Sequence, residues 1–506
     1  MFDNIHESEQ LKEKLVPYDD NKAIKTASGK LTARERIEAL LDPGSFQELD
    51  ALSASAEGVL SSNLTAQPAD GVIVGYGNIG GRPIFIWSQD ATVMGGSLGV
   101  VHARKISMAI SEALQARVPI VGIIDSIGER VSDLIEYPHF YSLESICNLQ
   151  VLASGVIPQI ILVMGSCVGG TALSAALADF VFLVRNTSYM HVSSPPDTIS
   201  GEHLGEAWMH AQKTGCCDVL AEDDGDCLRK CRWLLSYLPP HNKEKTPFVD
   251  TGDLANRREE EIAKLVPVDS TKTYDMRRLI SLTVDNGEFF EIKRYWATNL
   301  ITGFAHLSGQ TVGIIANNPQ NKGGCMSLDA SDKMARFVRF CDAFNIPLIW
   351  LADCPGFLPS VDEETRGLIR HGSKVIFSNT MATVPQVTII VSKLYGGAGL
   401  AMPGKRLGGD SMIAWPTVSR GLMGPEGAVA ILYEKELGEI EDKTERERQR
   451  QRRIKEMKQR LESQQIESTQ AVIDPRDTRL FLINSLKLLQ NKERKLPHRK
   501  HDNIRL

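Results

Sequence analysis

Two stretches of this chain read alike. Gln159-Ile-Ile-Leu-Val-Met-Gly-Ser-Cys-Val-Gly-Gly-Thr171 and Gln386-Val-Thr-Ile-Ile-Val-Ser-Lys-Leu-Tyr-Gly-Gly-Ala398 are each an apolar run that ends in a glycine pair and a small residue. Such a run reads as a buried strand, and the glycines read as the turn that opens a helix. Backbone N–H groups left unpaired at that turn form a site for a developing negative oxygen. One such turn is equally explained by tight packing; two in one chain point to an enzyme that stabilises two oxyanions.

The likeness extends beyond the glycine turns. Asp42-Pro-Gly-Ser-Phe-Gln-Glu-Leu49 matches Asp285-Asn-Gly-Glu-Phe-Phe-Glu-Ile292. Gly75 matches Gly303, Asp125 matches Asp353 and Gly169 is matched with Gly397, all at an offset of 228 residues. A chain of 506 residues would by length alone suggest about three domains. The repeat instead predicts two homologous α/β halves. The polar stretch over 240–270, which follows Pro239-Pro240, places the division at residues 1–240 and 241–506.

Composition excludes several classes. A formal net charge of −6 argues against a general nucleic-acid binder. No apolar run approaches the roughly 18 residues that span a bilayer. The opening MFDNIHESEQ lacks a basic region followed by an apolar core, so it reads as neither secretion signal nor transit peptide. The nine cysteines form no CxxC pair, which argues against a zinc ribbon, and no metal site is expected. Several lie in apolar runs and fit reduced thiols in a cytoplasmic setting, and Cys227 and Cys231 read as partly buried helix neighbours.

Residues 1–50 read as mostly helical, with Thr32 and Glu35 as a capping box and a stop near Asp42-Pro-Gly44. A mobile loop is expected over 52–70, a hairpin about Asn78–Arg82, a helix over 98–117 and strands at 120–124, 181–184 and 189–192. Gly75-Tyr-Gly-Asn-Ile-Gly80 satisfies GxGxxG, but Gly81-Arg82-Pro83 and another strand follow, not a helix, so the hairpin reading is preferred. Gly95-Gly-Ser-Leu-Gly99 satisfies GxSxG, yet the preceding strand ends too early for a nucleophile elbow. Gly95, Gly96 and Ser97 read instead as a glycine-lined binding loop. Residues 441–464 hold 15 charged residues in 24, with Ile454, Met457 and Leu461 as a thin apolar stripe, the pattern of a solvated surface helix.

Several of these segments resemble one family. Ser88-Gln-Asp-Ala-Thr-Val-Met-Gly-Gly-Ser-Leu-Gly99, Ala153-Ser-Gly-Val-Ile-Pro-Gln-Ile160, the run from Ala330 to Pro347, Pro355-Gly-Phe-Leu-Pro359, Ile369-Arg-His-Gly372, Tyr395-Gly-Gly-Ala398 and Met423-Gly-Pro-Glu-Gly-Ala428 carry it. They are similar to the carboxyltransferase (beta) subunits of biotin-dependent acyl-CoA carboxylases, the propionyl-CoA type in particular. The resemblance implies an α/β fold of two tandem crotonase-like domains, assembled as a hexamer, a trimer of dimers. It implies that Gly169 and Gly170 hold the oxygen of an acyl-CoA thioester, and that Gly397 and Ala398 hold the ureido oxygen of biotin. Carboxybiotin would yield CO₂ and a base, and the base would form the thioester enolate that attacks CO₂. No biotin-attachment sequence is present, so a biotin carboxylase and carrier partner is implied.

The chain departs from the family pattern at Asp125-Ser-Ile-Gly-Glu-Arg-Val131. Ile127 and Glu129 stand where the family has glycine and alanine, near the expected acyl pocket lined by Ser126, Ile127, Gly128 and Arg130. Leu400 occupies the position that commonly tunes acyl size, and its bulk suits an apolar acyl chain. Two alternatives stay open: a decarboxylase subunit running the transfer in reverse, and a thioester-binding scaffold without turnover.

Overall fold

The computed structural model describes residues 30–51, 53, 69–136, 142–193, 204–267, 269, 272–416, 418–468 and 470–504. The helical reading before residue 30 and most of the loop expected over 52–70 lie outside them. The end of that loop is not loose: Asp70 is buried, accepting from the N–H of His102 and the guanidinium of Arg130. The chain divides into two compact units at Glu244/Lys245.

The first unit opens with helix α1 (Ala33–Leu40), capped by Thr32 and Glu35 in the capping box the sequence predicts. Its sheet runs β1 (Gln47–Leu49), β2 (Val72–Ile79), β3 (Arg82–Gln89), β4 (Ile120–Ser126), β5 (Gln159–Val168), β6 (Phe180–Val184) and β8 (Val219–Ala221), while β7 (Tyr189–His191) pairs with the end of β5. β1 to β3 are antiparallel and the pairs from β3 onward are parallel. The GxGxxG segment is the β2–β3 hairpin, as expected. Parallel neighbours need crossovers, and α2 (Val100–Ala116) and α3 (Ser142–Ala153) supply them. Ile106 and Ile110 of α2 pack on the sheet through residues such as Trp87, Ile161 and Val163.

The second unit repeats this plan. β9 (Phe289–Ile292), β10 (Leu300–Leu307), β11 (Gln310–Asn317), β12 (Leu348–Cys354), β13 (Gln386–Tyr395) and β14 (Ser411–Ala414) follow in space in that order, with β15 (Ser419–Gly421) beside the end of β13. Helices α4 (Leu328–Ala343) and α5 (Leu368–Met381) make the crossovers.

Matched residues do matched work. Asp42 accepts from the N–H groups of Gly80 and Gly81 at the β2–β3 turn, and Asp285 accepts from those of Ser308 and Gly309 at the β10–β11 turn. Arg232 and Arg479 pair with these two aspartates. Buried Lys105 of α2 donates to the carbonyls of Ala69 and Val72, and buried Lys333 of α4 to those of Lys293, Trp296 and Leu300. Burial lowers these ammonium groups to about 8 and about 7.

The hydrogen-bond register corrects one match. Ile120 of β4 pairs with Gln159 of β5, and Leu348 of β12 pairs with Gln386 of β13. From this point the offset between the units is 227, because the segment between β4 and β5 is one residue longer than its counterpart. Gly169 therefore corresponds to Gly396, not Gly397, and Gly170 corresponds to Gly397.

Beyond the second sheet, helix α6 (Lys443–Ser468) carries the charged run. Met457 of its apolar stripe is buried with Val429 and Leu437, and Ile454 and Leu461 pack against them. All nine cysteines are free thiols, and Cys227 and Cys231 are fully buried, not partly as the sequence suggests. Among the described residues no helix is long and apolar enough to cross a membrane.

Candidate active site

The glycine turns follow from the ends of β5 and β13. In each sheet the pairing slips by a bulge, between Ile124 and Ser126 and between Ala352 and Cys354. The aspartate at each bulge accepts the loosened N–H of the next strand: Asp125 from Ser166 at 3.4 Å and Asp353 from Lys393 at 3.1 Å. Gly165 is needed for this approach, since a Cβ there would lie 1.9 Å from the Asp125 carboxylate. Asp125 is held from behind by buried Arg36, which also binds Asp224, while Asp353 is held by Tyr274 and Lys393.

Past the bulge, β5 pairs with β7 and β13 with β15. Gly169, at φ 71 and ψ −140, lies where residues with a side chain are strained, and its N–H donates to the carbonyl of His191 at 3.0 Å. Gly396, at φ 54, donates in the same way to Gly421 at 3.0 Å. The turns close with Ala172 donating to Gly169 and Gly399 donating to Gly396. Two amides are left over in each turn. Among the described residues, the N–H groups of Gly170 and Thr171 in one unit and of Gly397 and Ala398 in the other have no acceptor.

This arrangement alters the expected donor set. Gly397 and Ala398 have free amides, but in the first unit the free pair is Gly170 and Thr171, because the N–H of Gly169 is already bonded. Thr171 was missed because the glycine pairs were aligned one residue out of step; strand register counted from Gln159 and Gln386 would have found it. Among the described residues its buried hydroxyl also has no partner.

Each pair of donors is walled by a side chain over its second glycine. Leu143 of α3 lies 2.2 Å from where a Cβ on Gly170 would sit, and Phe357 lies 2.8 Å from the equivalent point on Gly397. Two residues beyond each pair stand Leu173 and Leu400, 58% and 47% exposed. Leu400 is thus at the mouth of the second unit's turn.

The remaining candidates divide into those that face the site and those that brace it. Arg130 is buried and committed: its guanidinium donates to the hydroxyl and carbonyl of Ser97 and to Asp70. Ser126 is fully buried and its hydroxyl accepts the N–H of Gly128. Gly96 lets the carbonyl of Asp125 approach, since a Cβ would meet it at 2.2 Å. Ser97, Ser126, Arg130, Gly96 and Gly128 therefore tie the 95–99 loop to the 126–130 loop behind the site. Ile127 is 62% exposed and packs over Gly95, so these two form an outer surface.

Ser97 is buried in this brace, which removes it as a nucleophile. His102 lies nearby in sequence, but burial pushes its imidazole down to about 3, so it stays neutral; its Nδ1 is 2.9 Å from the Asp70 carbonyl. Burial likewise raises the Cys147 thiol, so that residue is no ready thiolate. Among the described residues no group of three His, Cys, Asp or Glu is placed to hold a metal. The chemistry left is electrostatic: two pairs of fixed N–H donors, each suited to one anionic oxygen.

Residues 25–504 match the model of the carboxyl transferase domain. The methylmalonyl-CoA decarboxylase subunit alpha of Veillonella parvula is 42% identical over 487 residues, covering 95% of this chain and 94% of that one. The mitochondrial propionyl-CoA carboxylase beta chain of Homo sapiens is 40% identical over 487 residues, covering 94% and 89%. Among solved structures, the transcarboxylase 12S hexamer with hydrolyzed methylmalonyl-coenzyme A bound superposes with a TM-score of 0.92 at 37% identity, covering 99% and 98%.

Proposed function

The chain belongs to the carboxyl transferase domain family, and from that membership we propose that it is the carboxyltransferase subunit of an acyl-CoA carboxylase. It moves a carboxyl group from carboxybiotin to the α carbon of a short-chain acyl-CoA such as propionyl-CoA. The observation that carries this reading is the matched pairs of amides without an acceptor among the described residues, Gly170 with Thr171 and Gly397 with Ala398.

Gly170 and Thr171 hold the thioester oxygen and stabilise the charge it gains when the α proton leaves. Removing one such donor costs about 2.7–4 kcal/mol in the barrier. The second pair, with the Phe357 ring over Gly397, suits the ureido oxygen and flat ring of biotin. Biotin, when bound in its carboxylated form, supplies the CO₂ and then the base. The chain has no biotin-attachment sequence, so biotin arrives on a carboxylase and carrier partner. The assembly is a hexamer, as in the transcarboxylase 12S relative, and it works in the cytoplasm, which agrees with nine unpaired cysteines.

The opposite direction is favoured by one observation, the likeness to a methylmalonyl-CoA decarboxylase alpha subunit. The same donors serve both directions. The test uses purified protein, free biotin and malonyl-, methylmalonyl-, ethylmalonyl- and glutaconyl-CoA, following biotin-dependent loss of each carboxyl group. Turnover of one thioester is expected and names the acyl group. Binding without turnover, beside an active relative as control, would replace this reading with that of a scaffold.

A further inference from the structure

The two turns differ in one wall. In the first unit a backbone bridge joins Leu98 to Glu129, and in the second the same bridge joins Met326 to Phe357. Both partners are 228 residues apart, so Glu129 occupies the place of Phe357. The correspondence extends to side-chain position. Phe357 packs over Gly397, and the Glu129 Oε2 lies 3.7 Å from where a Cβ on Gly170 would sit. Where one unit has an aromatic ring beside its donors, the other has a carboxylate.

That carboxylate is half-buried, and among the described residues it has no hydrogen bond or ion pair. Leu143 beside it is apolar, and the Cys147 thiol is raised by burial and, less, by the charge of Glu129. The nearby guanidinium of Arg130 is committed to Ser97 and Asp70. A thioester whose oxygen sits on the Gly170 and Thr171 amides brings its acyl group alongside this charge. Entry of the thioester expels water, and like charges then repel more strongly.

We propose that Glu129 is a specificity-determining residue that screens the acyl chain by charge, favouring neutral acyl groups and weakening the binding of anionic ones, the carboxylated product included. The inference rests on the thioester reading of the first unit. It needs no covalent step: the screen acts on binding.

The experiment is calorimetric titration of full-length wild type, Glu129→Gln and Glu129→Ala with propionyl- and butyryl-CoA and with succinyl- and glutaryl-CoA. Wild type is expected to bind the neutral thioesters at least about 30-fold more tightly than the charged ones. Both variants should narrow that gap by about tenfold or more, through tighter binding of succinyl- and glutaryl-CoA, with neutral affinities changed less than about threefold. A gap that stays within about twofold of wild type in both variants overturns the inference, as does narrowing that comes only from weaker neutral binding. Failure of wild type to bind any neutral acyl-CoA overturns the thioester reading itself, and the inference with it.

Discussion

The amides of Gly169 and Gly170 are adjacent but have different fates, and substitution separates them. A Cβ on Gly170 would strike the tip of the Leu143 side chain at 2.2 Å, so either that wall of the donor pair or the turn itself must shift. Gly170→Ala is therefore expected to lower carboxyl-transfer kcat by about 10²–10³-fold with the fold retained, read by steady-state rates beside circular dichroism. A Cβ on Gly169 meets nothing within 4 Å, but its backbone lies in a glycine-only region. Gly169→Ala should cost about 1–3 kcal/mol of stability while reducing kcat less than Gly170→Ala; equal losses in kcat would mean that Gly169 is a donor after all. The glycine pairs themselves were legible, because few other residues fit such turns. The free donor Thr171 was not, because only strand pairing shows which amide is already bonded. Nor was the bracing role of Arg130 and Ser97, whose contact spans 33 residues of sequence.

At the scale of elements, strands, crossovers and the capping box were readable from apolar periodicity and turn residues, and the helix expected over 98–117 is Val100–Ala116. What the pattern does not carry is how elements are tied together. The Asp42 carboxyl is held down to about 2, first by the Gly81 N–H and then by Arg232. A carboxyl that loses its proton more readily when folded stabilises the fold above its unfolded value of 3.8 and loses that contribution as pH falls towards about 2. Asp42→Asn should lower stability near neutral pH and converge with wild type below about pH 2, measured by denaturant titration across pH. Arg36 ties α1 to the bulge on which the glycine turn depends. Arg36→Met leaves Asp224 buried without its cation and Asp125 with only Lys30, 3.6 Å away, and should cost about 3–5 kcal/mol, seen as a fall in Tm of on the order of 10 °C.

At the scale of the whole molecule, the duplication was visible in sequence because the acidic turn cap Asp42 recurs as Asp285, and Gly75 and Asp125 recur as Gly303 and Asp353 at one spacing of 228. Its one-residue slip was hidden because the inserted position lies in a segment with no shared motif. The second unit leaves the apolar side chains of Val361, Ile369 and Leu422 at least 80% exposed, as association would help to cover. Light scattering should give a particle of about six 55.8 kDa chains; a stable monomer would contradict the hexamer.

The exchange of Phe357 for Glu129 in otherwise matching frames also bears on ancestry. Two identical subunits must change together, since one gene writes both. Two copies joined in one chain can mutate independently, and each turn is then released from having to accept its neighbour's ligand. At this position the two halves have diverged, a phenyl ring in one and a carboxylate in the other, a difference that two copies of a single gene product could not have made.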